Sequence, residues 1–200
     1  MKSLADARQR ETTVGAAGIN SVPSFYARMM NAVAGTKLKI VTGYPGQSEI
    51  FIAMERGEVE GHPSVFYGGL KSTRPTWISE KKVNFLLQYG AEREKELGDT
   101  PFLADLITKP EDRSLVAAAL APLAIGRPYL TPPDTPPERV AALRKALADT
   151  FTDPEFRADA DRMQLSLTTP ISGESMQQQI ADAYKTSPDV VARLHTLAQP

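Results

Sequence analysis

Hydrophobic positions change period several times along the chain, and each change predicts an element. Thr13-Val14-Gly15 predicts the end of a short strand running into a small-residue turn, GAAGINS. From Pro23 or Ser24 the apolar residues recur at helical spacing, with Phe25, Met29, Ala32 and Val33 on one face, and Gly35 stops the helix. Lys37 to Thr42 (KLKIVT) predicts a second strand. A Pro-Gly turn follows, then a helix from about Gln47 to Gly57 with Ile50, Phe51 and Met54 on its apolar face. Arg56 lies favourably near the negative end of that helix. Val59 begins another extended segment, and Val83 to Tyr89 (VNFLLQY) predicts a strongly apolar strand.

Strands alternating with helices imply parallel βαβ units with right-handed crossovers. In such sheets the functional loops lie beyond the carboxyl ends of the strands. Here these are Gly15 to Ser21, Gly43 to Ser48, Gly61 to Phe66 and the end of the Val83 strand, so four loops are expected at one edge. After Tyr89 the pattern changes. Pro101, Pro110, Pro122, Pro128, Pro132, Pro133, Pro136 and Pro137 mark a crossing segment around one helix at about 111 to 121. Beyond it come helices with start signals at Thr135-Pro136-Pro137-Glu138, Asp153-Pro154 and Ser187-Pro188, and a further one near Gly173. Val140, Leu143, Leu147 and Phe151 form one stripe, and Met176, Ile180 and Tyr184 another; both predict core contacts.

Composition narrows the function more than the fold. Two hundred residues suffice for one sizeable domain or two small ones. A net charge of -1 predicts neither a nucleic-acid nor an anionic-membrane partner. With no cysteine, disulfides, thiolate metal sites and a Cys nucleophile are excluded. No apolar run approaches the ~20 residues that span a bilayer. The opening MKSLADARQRETT is polar and charged, without the apolar region of a signal peptide.

Catalytic patterns are sparse. His62 and His195 are the only histidines, far apart in sequence, and no HExxH or Ser-His-Asp arrangement surrounds them. Ser48 lies in GQSEI, which lacks the second glycine of a nucleophile elbow. Asp159 and Asp161 in RADADR are two residues apart on a predicted helix, share no face, and read as solvated surface. Walker and GxGxxG loops are absent from the sequence. The glycine-rich turn is the better candidate. A helix N-terminus offers unpaired N–H groups and partial positive charge, which suits a carboxylate or phosphate. Between Glu11 and Glu49 there is no acidic residue, whereas Arg28, Lys37 and Lys39 are basic. Ala16, Ala17 and Gly18 are small enough for close approach to the backbone, and Asn20 and Ser21 can add side-chain hydrogen bonds. The same residues also make ordinary βα turns, so both readings stand at this point. Tyr44 offers an aromatic wall and Pro45-Gly46 a shaped turn, while Glu49 already answers the next helix's dipole. His62, Ser64 and Tyr67 can supply polar contacts at the same edge.

The segments VGAAG, TGYPGQSEI, AMERGEVEG, LKSTRPTW, LGDTPFLADL, IGRPYLTPP and PPERVAALRKAL, in this order, resemble the receptor component of tripartite tricarboxylate transporters. These are the Bug-type extracytoplasmic solute-binding proteins. The likeness runs from about Val14 to Val191, and AMERGEVEG and the Pro-rich crossing are its most specific parts. It implies an α/β fold like that of type II periplasmic binding proteins. On that pattern 13–98 is a parallel-sheet second lobe, 99–135 the Pro-rich crossing, and 136–200 the C-terminal helices of an incomplete first lobe. It also implies a small carboxylate ligand, a periplasmic location and membrane transporter subunits as partners. Neither an enzymatic activity nor a cofactor or metal is implied. In the family a second-lobe loop at the position of Ala16 to Ser21 holds the ligand through backbone amides and waters. Family chains usually carry a signal sequence and most of the first lobe ahead of the position of Val14. The departure implies weak binding and uncovered helices that pair with a second copy as a homodimer. A small α/β enzyme acting on a phosphorylated or carboxylated metabolite is the alternative, and an interaction module ranks third.

Overall fold

The computed structural model describes residues 1–199 except Ala91, Gln164, Ser166, Thr168 and Thr169. Chain order begins with helix α1 (Leu4–Gln9), strand β1 (Thr12–Ala16), α2 (Val22–Ala34), β2 (Leu38–Thr42) and α3 (Gln47–Glu55). Two short helices follow, α4 (Tyr67–Thr73) and α5 (Pro75–Ser79), then α6 (Leu103–Leu106) and α7 (Pro110–Ile125). The last four are α8 (Pro137–Thr152), α9 (Pro154–Arg162), α10 (Gly173–Ala183) and α11 (Pro188–Ala198).

β1 and β2 pair in parallel, from Thr12 opposite Leu38 to Ala16 opposite Thr42. The other edge of β1 takes the Val59 segment. Val14 bridges Gly61 in parallel, the Gly15 amide donates to the Gly61 carbonyl at 3.0 Å, and the Glu60 amide donates to the Thr13 carbonyl at 2.9 Å. β1 of this two-stranded sheet therefore has a backbone on each edge, which explains why Thr12, Val14, Gly15 and Ala16 are all buried. Below the sheet, the exposed Arg10 guanidinium grips the Glu60 carboxylate through both oxygens, at 2.5 and 3.0 Å. α1 has few apolar residues to announce it. Its signal is the Ser3/Asp6 capping box, and Leu4 and Ala7 are its buried contacts.

α2 buries Ser24, Tyr26, Ala27, Met29, Met30 and Ala34. This face is rotated from the expected one: Met29 is central, Phe25 and Val33 pack at the margin, and Ala32 is exposed. Tyr26 and Ser24 turn inward because each has a partner. The Tyr26 ring packs 5.1 Å from Tyr89, and the Ser24 hydroxyl donates to the Gly18 carbonyl. Gly35 ends the helix in the left-handed region at φ 68°, where a Cβ is disfavoured. Leu103, Ile107, Val116 and Ala119 complete the core around α2, with Leu194 and Leu197 of α11 against its edge. A second core joins Phe51, Leu70 and Trp77.

Two expectations need correction. Val83 to Tyr89 is not a strand: its ladder is the lone bridge between Gln88 and Phe102. The neighbouring backbone there includes Pro101, which has no N–H to extend the pairing. The segment instead divides its side chains, Val83 and Phe85 toward Trp77, Leu87 and Tyr89 toward Tyr26. The stripes on α8 and α10 are not core either. α8 and α10 contain no buried residue among those described, Leu143 is 57 % exposed and Tyr184 88 %. Among the described residues no strand packs against them: α8 packs on α9, with Phe151 edge-on to Phe156, and α10 packs on α7. Asp159 is surface as expected and pairs with Arg162. Among the described residues, no helix is long and apolar enough to cross a membrane.

Candidate functional site

The three parallel backbones end at Ala16, Thr42 and Gly61, and their loops meet there. The Gly43 amide donates to the Ala17 carbonyl at 3.3 Å, tying the second loop to the first. In the first loop the Gly18 carbonyl is a hub. It accepts from the Ser21 amide at 3.0 Å and from the hydroxyls of Ser21 and Ser24, both at 2.7 Å. These bonds curl the chain into α2. They also direct the Ser21 hydroxyl away from the helix, so Ser21 occupies the N-cap position without capping. The first turn has Pro23 and no acidic residue. Its main-chain donors are left for a partner from outside the helix.

Ala17, Ile19 and Asn20 are exposed, and Gly18 and Ser21 half-buried. Ala16 is wholly buried in β1, so only its backbone belongs to the edge. Arg28, one helical face further on, is consumed by carbonyls. Its guanidinium donates to Ile19 at 2.9 Å, to Leu197 at 2.5 Å and to Ala198 at 3.2 Å. Burial pulls its pKa below the ordinary arginine value.

Tyr44 lies over β1. A Cβ built on Gly15 would come within 3.3 Å of the Tyr44 ring and 2.6 Å of Ile50. Glycine there lets the aromatic wall close on the strand end. At Pro45-Gly46 the α3 N-terminus is already answered, since the Glu49 carboxylate lies 3.2 Å from where a Gly46 Cβ would be. In the third loop His62 Nδ1 accepts from the Ser64 amide at 3.1 Å, and its ring packs on Phe51. Burial pushes its pKa down to about 4. His62 is thus a neutral, structural imidazole near neutral pH, not a cation. The Tyr89 hydroxyl donates to the Pro63 carbonyl at 2.9 Å, and burial raises its pKa. Tyr67 faces elsewhere, donating to Glu96 at 3.1 Å; burial, then that carboxylate, pushes its phenol up to about 12. Among the described residues no group of three or more His, Asp or Glu is placed to hold a metal.

No family model matches the chain, and no curated protein does. Solved structures do. A TctC solute-binding protein from Polaromonas, with no ligand, superposes with a TM-score of 0.60 at 20 % identity, over 95 % of this chain and 60 % of its own. R. palustris Rpa4515 with adipate superposes with a TM-score of 0.58 at 15 % identity, over 99 % of this chain and 61 % of its own. The fold is that of these solute-binding proteins. This chain spans about 60 % of the length of the Polaromonas structure. The likeness bears out the mixed α/β architecture with a small parallel sheet that the motifs imply.

The first two loops of the expected edge are directly bonded, and the third is joined to them through β1. Tyr89 reaches the third loop through its side chain rather than as a strand. The bonds of Ser24 and Arg28 are what sequence alone leaves out, since Arg28 counts there only as a basic residue and Ser24 only as a helix start. Ser24 carried a faint signal as the third residue of the helix. The Arg28 partners lie 169 and 170 residues away, a separation that no local pattern records.

Proposed function

We propose that this chain is a solute-binding receptor component of a tripartite tricarboxylate-type transporter. It holds a small carboxylate at the Ala16–Ser21 turn through main-chain N–H groups of that turn and of the start of α2. The observation that carries this is the opening of α2 itself: a helix of 13 residues without a side-chain cap or an acid in its first turn. Partial positive charge and free donors at such a terminus favour an anion without a lysine. Tyr44, Pro45 and Gly46 form one wall of the cleft, and the neutral His62 and Ser64 lie at its third loop. Asn20 is exposed and supplies the free side-chain donor. Ser21 helps by shaping the turn, because its amide and its hydroxyl both already serve Gly18.

In this reading 13–98 is the ligand lobe, 99–135 the crossing segment, and 136–200 belong with a first lobe. The partners are transporter membrane subunits, and the place of action is outside the cytoplasm. The neutral His62 disfavours acid–base turnover and with it the enzyme alternative.

Calorimetric titration with adipate, the dicarboxylate of one structural neighbour, tests the site. Ser21→Asp keeps a good N-cap residue, so the helix still forms. Its carboxylate, however, takes up the α2 donors and repels a bound anion. Affinity should fall tenfold or more, equivalent to about 1.4 kcal/mol. Equal binding by parent and variant would refute the site, and no uptake by the parent would remove the reading.

A further inference from the structure

Arg28 spans two segments far apart in the sequence. One nitrogen holds the Ile19 carbonyl, inside the turn that leads to α2. The other two hold the Leu197 and Ala198 carbonyls at the carboxyl end of α11. A guanidinium is a rigid planar fork, so fixing two of its donors fixes the direction of the third. The position also suits a cation, since the last carbonyls of a helix carry partial negative charge.

α11 is an element whose docking can be biased. It has 11 residues and only Val190 is fully buried, a length at which helices depend on their contacts. It packs on α7 and on α2, through the Leu194 and Leu197 margin of the core, the Arg193 bonds to Asp112 and the Glu111 carbonyl, and Arg28.

We propose that Arg28 couples the binding turn to α11, so that docking of α11 holds the turn in its anion-binding shape and lifting α11 releases it. This rests on the reading of that turn as a carboxylate site. Arg28 is a positioning residue here: each of its three nitrogens already donates to a carbonyl, which fixes the plane of the guanidinium. Linkage makes the effect reciprocal. Whatever factor α11 docking adds to carboxylate affinity, bound carboxylate adds to α11 docking. A partner that engages α11 would thereby loosen the ligand without touching it.

Amide hydrogen exchange with mass spectrometry on the full chain tests the coupling. In the parent, saturating adipate should slow exchange in peptides covering both 17–22 and 195–199. In Arg28→Met, adipate affinity should fall by about five- to a hundredfold, the usual range of such coupling. At saturation the turn should still be protected, but α11 should no longer respond. Arg28→Lys keeps the charge without the fork, and should recover part of the affinity but not the α11 response. Protection of the turn with α11 unmoved in the parent would overturn the proposal while leaving the binding site intact.

A ligand-free arm decides the matter independently. Without adipate, Arg28→Met should speed exchange at 17–22 and 195–199 together and leave the β1–β2 ladder unchanged. Faster exchange at α11 alone would overturn the coupling. Ser21→Asp should weaken adipate binding tenfold or more and leave α11 docked, so failure of the site and failure of the coupling give different patterns.

Discussion

The imidazole of His62 is neutral because burial against Phe51 disfavours its charge and Nδ1 is already accepting from Ser64. Its folded pKa, about 4 against an ordinary 6.5, makes stability depend on pH with a definite sign. The unfolded chain binds the proton first as pH falls, so the His62 contribution is complete above about 6.5 and is lost by about 4. Each tenfold difference in proton affinity between the folded and unfolded chain is worth roughly 1.4 kcal/mol. Because His62 is only half-buried, the loss should be on the order of 2 kcal/mol. Urea midpoints of the parent and His62→Gln, measured from pH 7 to pH 4, check this. The parent should lose ground relative to the variant inside that window, whereas parallel profiles would show that His62 is not held neutral. At this scale the sequence identified the acid-free stretch, the small turn residues and His62. Charge and side-chain type are local properties. It did not reveal that the Ser21 hydroxyl and Arg28 are spent on carbonyls, because a bonded and a free donor are spelled alike.

β1 shows what an element adds. Gly15 lies beneath Ile50 and the Tyr44 ring, with no room for a methyl group. Gly15→Ala should therefore destabilise the fold by about 1–3 kcal/mol, the usual cost of overpacking, and displace Tyr44 from the cleft wall. Denaturant unfolding reads the first effect and Tyr44 accessibility the second. An Ala variant as stable as the parent would mean that Ile50 gives way freely. Helix starts marked by Pro, Ser or Asp were legible: α8, α9 and α11 begin within a residue of their signals. Local hydrogen bonding and the fixed φ of proline act within one turn. The extended run at 83–89 was misread because a strand is defined by its neighbour, and the neighbour is absent from the run itself. α2 was rotated for a similar reason. Tyr26 becomes a core residue only when Tyr89, far along the chain, arrives to cover it.

Across the whole molecule the C-terminal helices leave apolar surface in water. Leu143, Phe156, Ile180, Tyr184 and Val191 are all exposed. Each uncovered large side chain forgoes ~1.5–3 kcal/mol of burial. The α8 face containing Leu143, Leu147 and Phe151 is therefore expected to pair with a second copy about a two-fold axis. Light scattering at micromolar concentration should give twice the chain mass, and Leu143→Glu should return it to one. A parent that stays monomeric would sink this expectation.

The sequence by itself determined the alternation of helices and strands around the first two βα turns, the acid-free α2 opening, the helix starts and the α/β class. All of these follow from forces that act over a few residues: hydrophobic periodicity, capping and backbone restriction. Only the tertiary structure decided that β1 has a backbone on each edge, that 83–89 serves two cores with a single bridge, and that α8 and α10 bury no residue among those described. It also decided that Arg28 joins the turn to α11. Those outcomes depend on which distant segments meet, and burial or a hydrogen bond is a property of the meeting rather than of either residue.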